Sequence, residues 1–258
     1  MIENPVLHYT HGPFAGMTVR ARLEVLQSAE KGRKISSLIH AHASGRMDVR
    51  TIDPPPVVQI TFFEVNERTL EETEIVDYDA YQLDDGRTIV QALLYKVEGG
   101  SSGNSDKKII YTEPRSGTPI RESDECTALY LYGDKFVSAL QLRRWKGRDI
   151  LVCPFGNLAV REEGIFVLHF IAFAVGTSGM QFPQSNILAR SWSDTFEVFP
   201  SKQPFALRPS TDLTNRLTRQ QALSEIASNI RKRTVPRKKR SIDRVEDEDD
   251  DMFEDEDE

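Results

Sequence analysis

Cysteine is almost missing from this chain: among 258 residues, Cys126 and Cys153 are the only two. Two distant cysteines with no paired CxxC build neither a disulfide framework nor a cysteine-based zinc site, which points to a reducing compartment. Long apolar runs are missing as well. The longest, around residues 165–175, is broken by His169 and falls short of the roughly 20 residues that cross a bilayer. The opening Met1-Ile2-Glu3-Asn4-Pro5 lacks the apolar stretch of a secretory signal. The expectation is an intracellular, soluble protein that keeps off membranes. There is also no GxxxxGK[ST] phosphate loop, no GxGxxG turn after a strand and no HExxH pair, so the common phosphate, dinucleotide and metalloprotease chemistries have no support. No enzyme activity, metal or cofactor is expected.

What the chain does contain is a divided charge. The formal net charge of -7 hides a run at 246–258 in which eleven of thirteen positions are acidic, and the remainder carries 33 basic against 29 acidic side chains. The basic residues gather at 20–50 and 231–244, a distribution that suits a charged partner. Hydrophobic residues at 39% and charged residues at 28% fit one large folded domain with polar appendages.

Periodicity assigns that domain to the all-β class. Val19, Ala21, Leu23 and Val25 alternate with Arg20, Arg22 and Glu24, the pattern of a strand with one buried face. Residues 28–51 are polar and basic and end in Ile52-Asp53-Pro54-Pro55-Pro56. Three prolines fix φ and remove amide donors, so this is an extended lead-in that cannot pair centrally in a sheet. Val58, Ile60 and Phe62 mark a second strand, and residues 78–95 read as one or two more around the turn Asp84-Asp85-Gly86. Short apolar runs follow at Leu129 and Leu131, 136–140, 150–153, 158–160, 165–175 and 195–199, separated by Gly133, Gly147, Gly156 and Gly164. Such spacing predicts an antiparallel β-sandwich. Phe166, Leu168 and Phe170 face one way and Ile165, Val167, Ile171 and Phe173 the other, so this strand belongs in the centre, with His169 as a satisfied core or edge histidine. Residues 210–230 read as a helix on the sandwich, with hydroxyl caps at its start and apolar Leu213, Leu217, Ala222, Ile226 and Ile230. The expected organisation is an N-terminal extension at 1–17, a domain at 18–230 with a flexible insert near 99–107, and a disordered tail at 231–258, basic then acidic.

Few motifs carry chemistry. Gly99-Gly100-Ser101-Ser102-Gly103 matches GxSxG but lacks the apolar strand before it and the helix after it that expose a nucleophilic serine, so it reads as a linker. His40 and His42 lie in a polar loop with no third ligand nearby in sequence. Asp84-Asp85 and Glu71-Glu72 are unspecific among forty acids. The cations are more informative. Lys31, Arg33, Lys34, Arg46 and Arg50, on loops at one end of a sandwich, suit DNA phosphates, the alternative being a solvated loop. Arg231-Lys232-Arg233 and Arg237-Lys238-Lys239-Arg240 read as a nuclear import signal or a second nucleic-acid contact.

The segment Thr51-Ile52-Asp53-Pro54-Pro55-Pro56-Val57-Val58-Gln59-Ile60 resembles the lead-in and strand of the velvet domain. The likeness continues through Gly133, Val137-Ser138-Ala139-Leu140, Val152-Cys153-Pro154-Phe155-Gly156-Asn157-Leu158-Ala159-Val160-Arg161-Glu162-Glu163-Gly164, Trp192-Ser193-Asp194-Thr195-Phe196-Glu197-Val198 and Ser210-Thr211-Asp212-Leu213. It departs where Leu26-Gln27-Ser28 replaces Gln-Gln-Pro, where Asn157 stands for the usual aspartate and at Gln203-Pro204-Phe205. The resemblance implies a sandwich like the Rel-homology domain and a fungal transcriptional regulator that dimerises with itself or with related velvet proteins. It further implies control of development, sporulation and secondary metabolism. DNA contacts would come from Lys31, Arg33 and Lys34, with Arg46 and Arg50 as further candidates. The protein would be nuclear with a cytoplasmic pool, and importin would take the basic tail. The alternative is a dimer partner or scaffold that recruits regulators through its surface and acidic tail without binding DNA.

Overall fold

Alternation along residues 18–27 does what a half-buried strand requires: Val19, Ala21 and Leu23 are buried, while Arg22 and Glu24 face water. The computed structural model describes residues 4–35, 50–97, 108–175, 187–202 and 209–220. Its first sheet runs β1 (Val6–His8), β2 (Thr18–Gln27), β4 (Val57–Val65), β12 (Arg148–Pro154) and β11 (Leu140–Trp145), with β5 (Glu72–Glu74) on the far end of β4. The second runs β10 (Phe136–Ser138), β6 (Thr88–Lys96), β14 (Gly164–Ala174), β16 (Phe196–Phe199) and β3 (Lys31–Arg33), and β15 (Ile187–Trp192) takes the other half of β14. Two small pairs complete the set: β7 (Ile109–Thr112) with β8 (Pro119–Arg121), and β9 (Leu131–Tyr132) with β13 (Ala159–Val160). Pairing is antiparallel except between β16 and β3.

The two sheets share one core. Val58, Ile60 and Phe62 of β4 and Leu151 and Cys153 of β12 meet Val90, Ala92 and Leu94 of β6 and Phe166, Leu168, Phe170 and Ala172 of β14. Each side chain of this size stabilises the fold by about 1.5–3 kcal/mol on burial. Both cysteines are buried and free. Strand β14 is central and apolar on both faces, as its sequence requires. Its outer face is covered by the β7–β8 hairpin, where Tyr95, Ile120 and Val167 form a second cluster. The first sheet is covered on its outer side by helix α2 (Asp212–Arg219), whose Leu213 and Leu217 pack on Val57, Leu142, Ile150 and Val152.

Several elements differ from the sequence expectation. Between residues 77 and 86 the chain makes turns and no strand, yet it buries Tyr78 and Leu83, so β6 is the single strand of that region. Leu129 lies in a single helical turn, α1 (Thr127–Tyr130), before the short β9. The run 136–140 is split: Phe136–Ser138 pairs in the second sheet, the buried Ala139 crosses the core, and Leu140 opens β11 in the first. Strands β7, β8 and β15 had no separate signal. The helix is shorter at its start than expected, running Asp212–Arg219 with Thr211 and Gln220 as its caps, and residues 221–230, the 99–107 insert and the tail at 231–258 lie outside the described residues. Among the described residues no helix is long and apolar enough to cross a membrane.

Helix α2 is tied to the first sheet by a polar cluster. The buried Gln27 donates from Nε2 to the Pro55 carbonyl at 2.6 Å and to Thr214 Oγ1 at 3.0 Å, and its Oε1 accepts from the Thr211 hydroxyl. Thr211 in turn caps the helix by accepting from Thr214 N at 3.1 Å. Replacing Gln27 with alanine strands these groups in a dry site, and urea unfolding should show a loss of about 1–3 kcal/mol.

His169 departs from expectation in a different way. It is 7% exposed, and neither ring nitrogen has a hydrogen-bond partner among the described residues. It is held by its faces and edges, stacked on Trp192 and edge-on to Tyr95. Burial, with a smaller effect of the Arg190 charge, pushes its pKa down to about 4. Below the ordinary value of 6.5 the unfolded chain takes up a proton that the folded chain refuses, so stability falls as pH drops from 6.5 to about 4 and then levels. This contribution is roughly 3 kcal/mol. Thermal melts across that window should lose this part of the slope in His169→Phe.

Candidate nucleic-acid interface

The polar stretch 28–51 contains a strand. Residues Lys31–Arg33 form β3, parallel to β16, with Lys31, Gly32 and Arg33 opposite Glu197, Val198 and Phe199. Gly32 is the reason the strand fits. A Cβ there would stand 3.0 Å from Ile52 Cγ2 and 3.5 Å from Val198 Cγ2, so the residue faces the core and a side chain fits only where Ile52 gives way. Side chains alternate along a strand, and Lys31 and Arg33 therefore share the opposite face, where both are half-buried. The other flank of β3 is closed by Asp53, whose N–H donates to the Lys31 carbonyl at 2.7 Å while its own carbonyl accepts from Lys31 N at 3.0 Å. The proline segment thus holds the basic strand against the sheet.

Backbone hydrogen bonds bring the other cations to the same edge. Lys34 N donates to the Phe199 carbonyl, Ile35 N to that of Val160 and Ile52 N to that of Leu158. Arg50 follows, its Nη1 3.4 Å from the Ser201 carbonyl oxygen. Lys31, Arg33, Lys34 and Arg50 are thereby gathered around β3, β13 and the end of β16, and Arg46 lies outside the described residues. The import-signal residues Arg231, Lys232, Arg233, Arg237, Lys238, Lys239 and Arg240 also lie outside them. Two cations not singled out from the sequence follow residues of this edge in the chain: Arg161 follows Val160, with its Nη1 3.2 Å from the Tyr132 hydroxyl, and Lys202 follows Ser201. Their positions depend on pairings more than a hundred residues apart in the chain, which local sequence does not reveal.

Acidic groups stand among these cations. Lys34 Nζ is 3.7 Å from Glu162 Oε2, with both side chains 34% exposed. Glu197 is directly opposite Lys31 on the ladder. Arg20 and Arg22, at the start of the basic stretch, sit on the first sheet instead. Both pair with Glu72, Arg20 Nη1 at 2.7 Å, and Arg22 also lies 4.4 Å from the Phe63 ring centroid. Half of the Glu71-Glu72 pair is therefore a structural counter-ion.

Asn157 also has a structural role. Its Oδ1 accepts from Asp134 N at 2.8 Å and its Nδ2 donates to Asp134 Oδ2 at 2.7 Å. An aspartate here would set two carboxylates against each other. The adjacent Gly133 has φ +96, and a Cβ on it would fall 2.3 Å from the Asn157 carbonyl oxygen. Among the described residues no group of three His, Cys, Asp or Glu could hold a metal ion, and His40, His42 and the GxSxG run lie outside them.

A family model described as Velvet factor matches residues 21–128 and 110–229. The chain belongs to the velvet family. Its velvet-family relatives include a probable velvet family sexual development regulator of Schizophyllum commune, 33% identical over 246 residues, which cover 93% of this chain and 84% of that protein. A second, of Laccaria bicolor, is 27% identical over 277 residues, covering 90% and 77%. A sexual development regulator of Mycosarcoma maydis is 26% identical over 215 residues, covering 82% of this chain and 46% of that protein. The proline segment that closes β3 lies within the matched residues 21–128.

The seating of β3 can be tested directly. In Gly32→Val the new side chain meets Ile52 and Val198, and overpacking of this kind costs about 1–3 kcal/mol. Denaturant titration should show that loss, and hydrogen exchange should rise at Lys31 and Lys34 before it rises in β4.

Proposed function

We propose that this velvet protein is a developmental regulator that binds double-stranded DNA through the edge built on β3. The observation that carries this reading is the pair Lys31 and Arg33, seated by Gly32 and joined at the same edge by Lys34 and Arg50. Cations held on a rigid strand meet successive phosphates without first being ordered, and that is how phosphate contacts set the orientation of a protein on a duplex. The names of the relatives support a role in sexual development. In this reading the protein works as a homodimer or with another velvet protein, in control of sporulation and secondary metabolism, and does no catalysis. It enters the nucleus through importin contacts with the basic segments at 231–240 and keeps a cytoplasmic pool.

The Lys34–Glu162 ion pair and the Glu197 neighbour of Lys31 favour a second reading, in which the protein is a dimer partner or scaffold and leaves DNA to others. Acids beside the cations weaken the attraction to phosphate and suit a protein surface.

A salt titration separates the two. If Lys31, Arg33, Lys34, Arg46 and Arg50 neutralise about five phosphates, log K for a random duplex pool should fall against log salt with a slope of about -4.5. Alanine at Lys31, Arg33 and Lys34 together should flatten the slope by roughly three contacts. A response that stays flat, or an affinity unchanged in the triple variant, sinks the DNA reading and leaves the scaffold.

A further inference from the structure

The β11–β12 hairpin and helix α2 together carry a second basic surface, which no single stretch of the sequence shows. The ladder between the two strands shifts register after Leu142, and Arg144 and Lys146 both take left-handed backbone, with φ 54° and 49°. Irregularities of this kind re-aim side chains. The consecutive Arg143 and Arg144 are both exposed, as is Lys146, while Trp145 between them is half-buried against the cluster that holds Leu213 and Leu217 of α2. Lys146 Nζ lies 5.7 Å from the Trp145 ring centroid. The helix brings two more cations to the same place. Arg216 Nη2 donates to the Arg143 carbonyl at 2.9 Å, and the exposed Arg219 follows three residues later, one turn along the helix.

Two acids near this surface are engaged elsewhere. Asp149 accepts from Arg144 N at 2.8 Å and from Gln141 Nε2 at 3.1 Å, and Glu74 lies 3.4 Å from Arg148 Nη1. Asp212, one turn before Arg216 on α2, makes no ion pair with it. Among the described residues Arg143, Arg144, Lys146, Arg216 and Arg219 form no ion pair, whereas at the β3 edge Lys34 is held by Glu162. Five such cations around an indole ring suit an acidic segment with an apolar centre.

The chain contains such a segment. Its run at 246–258 sets Met252 and Phe253 between six acids, Glu246 to Asp251, and five, Glu254 to Glu258. The 26 residues between Arg219 and Glu246 reach at most roughly 90 Å. A tether of this length keeps the run near the surface at a local concentration on the order of millimolar, ahead of any free acidic partner. We infer that the acidic run at 246–258 docks on the hairpin–helix surface of its own chain, its carboxylates on Arg143, Arg144, Lys146, Arg216 and Arg219 and its Met252-Phe253 pair beside Trp145. The surface is separate from the DNA reading, because none of its residues belongs to β3, β13 or β16.

The chain has two tryptophans, so a spectrum of the full-length ¹⁵N-labelled protein carries two indole signals, which Trp145→Phe assigns. Trp145 lies within the contact and Trp192 outside it. Removing 246–258, or placing glutamine at its eleven acids, should move the Trp145 signal and leave that of Trp192 in place. About 1 M salt should move it the same way in the intact chain, because it screens charges beyond roughly 3 Å. Tenfold dilution should leave it still, as a contact within one chain requires. A peptide of sequence 246–258 added to the shortened protein should carry the signal back. Glutamine at Arg143, Arg144 and Lys146 together should weaken that peptide about tenfold. Serine at Met252 and Phe253, a change confined to the peptide, should weaken it severalfold. A Trp145 signal unmoved by removal of the run, as when the acids lie on the neighbouring cations at 231–244, overturns the inference. So does a signal that shifts on dilution, one that follows duplex DNA and not the peptide, or one peptide affinity shared by the wild-type and triple-variant surfaces.

Discussion

Strand β14 carries apolar side chains on both faces, and keeping water off both sides is the constraint from which the architecture follows. One face is met by the first sheet through Phe166, Leu168 and Phe170. The other needs its own cover, supplied by the β7–β8 hairpin over Val167 and Tyr95. Its two halves are then paired by different strands, β16 at Gly164–Phe166 and β15 at His169–Phe173. The basic edge is a margin of this arrangement, hung on β14 through β16 and β3.

Electrostatics divides the chain more finely than composition suggests. The stretch at 20–50 is one basic block in sequence but two surfaces in space: Arg20 and Arg22 share Glu72 on the first sheet, whereas Lys31, Arg33, Lys34 and Arg50 collect at the far edge of the second. That edge is mixed in sign, and interleaved acids such as Glu162 and Glu197 lower its attraction to any polyanion.

Where burial has a period of two, the strands were legible. β2 follows its alternation, and the central position of β14 follows from its two apolar faces. Strand β3 was hidden because Lys-Gly-Arg offers no apolar pattern, and what makes it a strand is backbone pairing with residues about 166 positions later in the chain. The region 78–95 read as one strand or two and holds one, because Tyr78 and Leu83 are buried from turns, which mimics a strand in composition. The run at 136–140 looked like one strand because each half is apolar, and nothing local marks the change of sheet. The cations of the candidate interface were legible as residues, but their common edge, and the acids within it, were not. His169 was legible as buried. Its lack of hydrogen-bond partners was not, because ring stacking leaves no mark on neighbouring residue types.

The crossing at Ala139 has a mechanical meaning. Within three residues the chain leaves the ladder with β6 and enters the ladder with β12, so it stitches the two layers together at a point with no slack. Neither layer can peel away alone without tearing a strand from the other. Slippage along the interface is barred for the same reason, and the two sheets are bound to melt as a single cooperative unit.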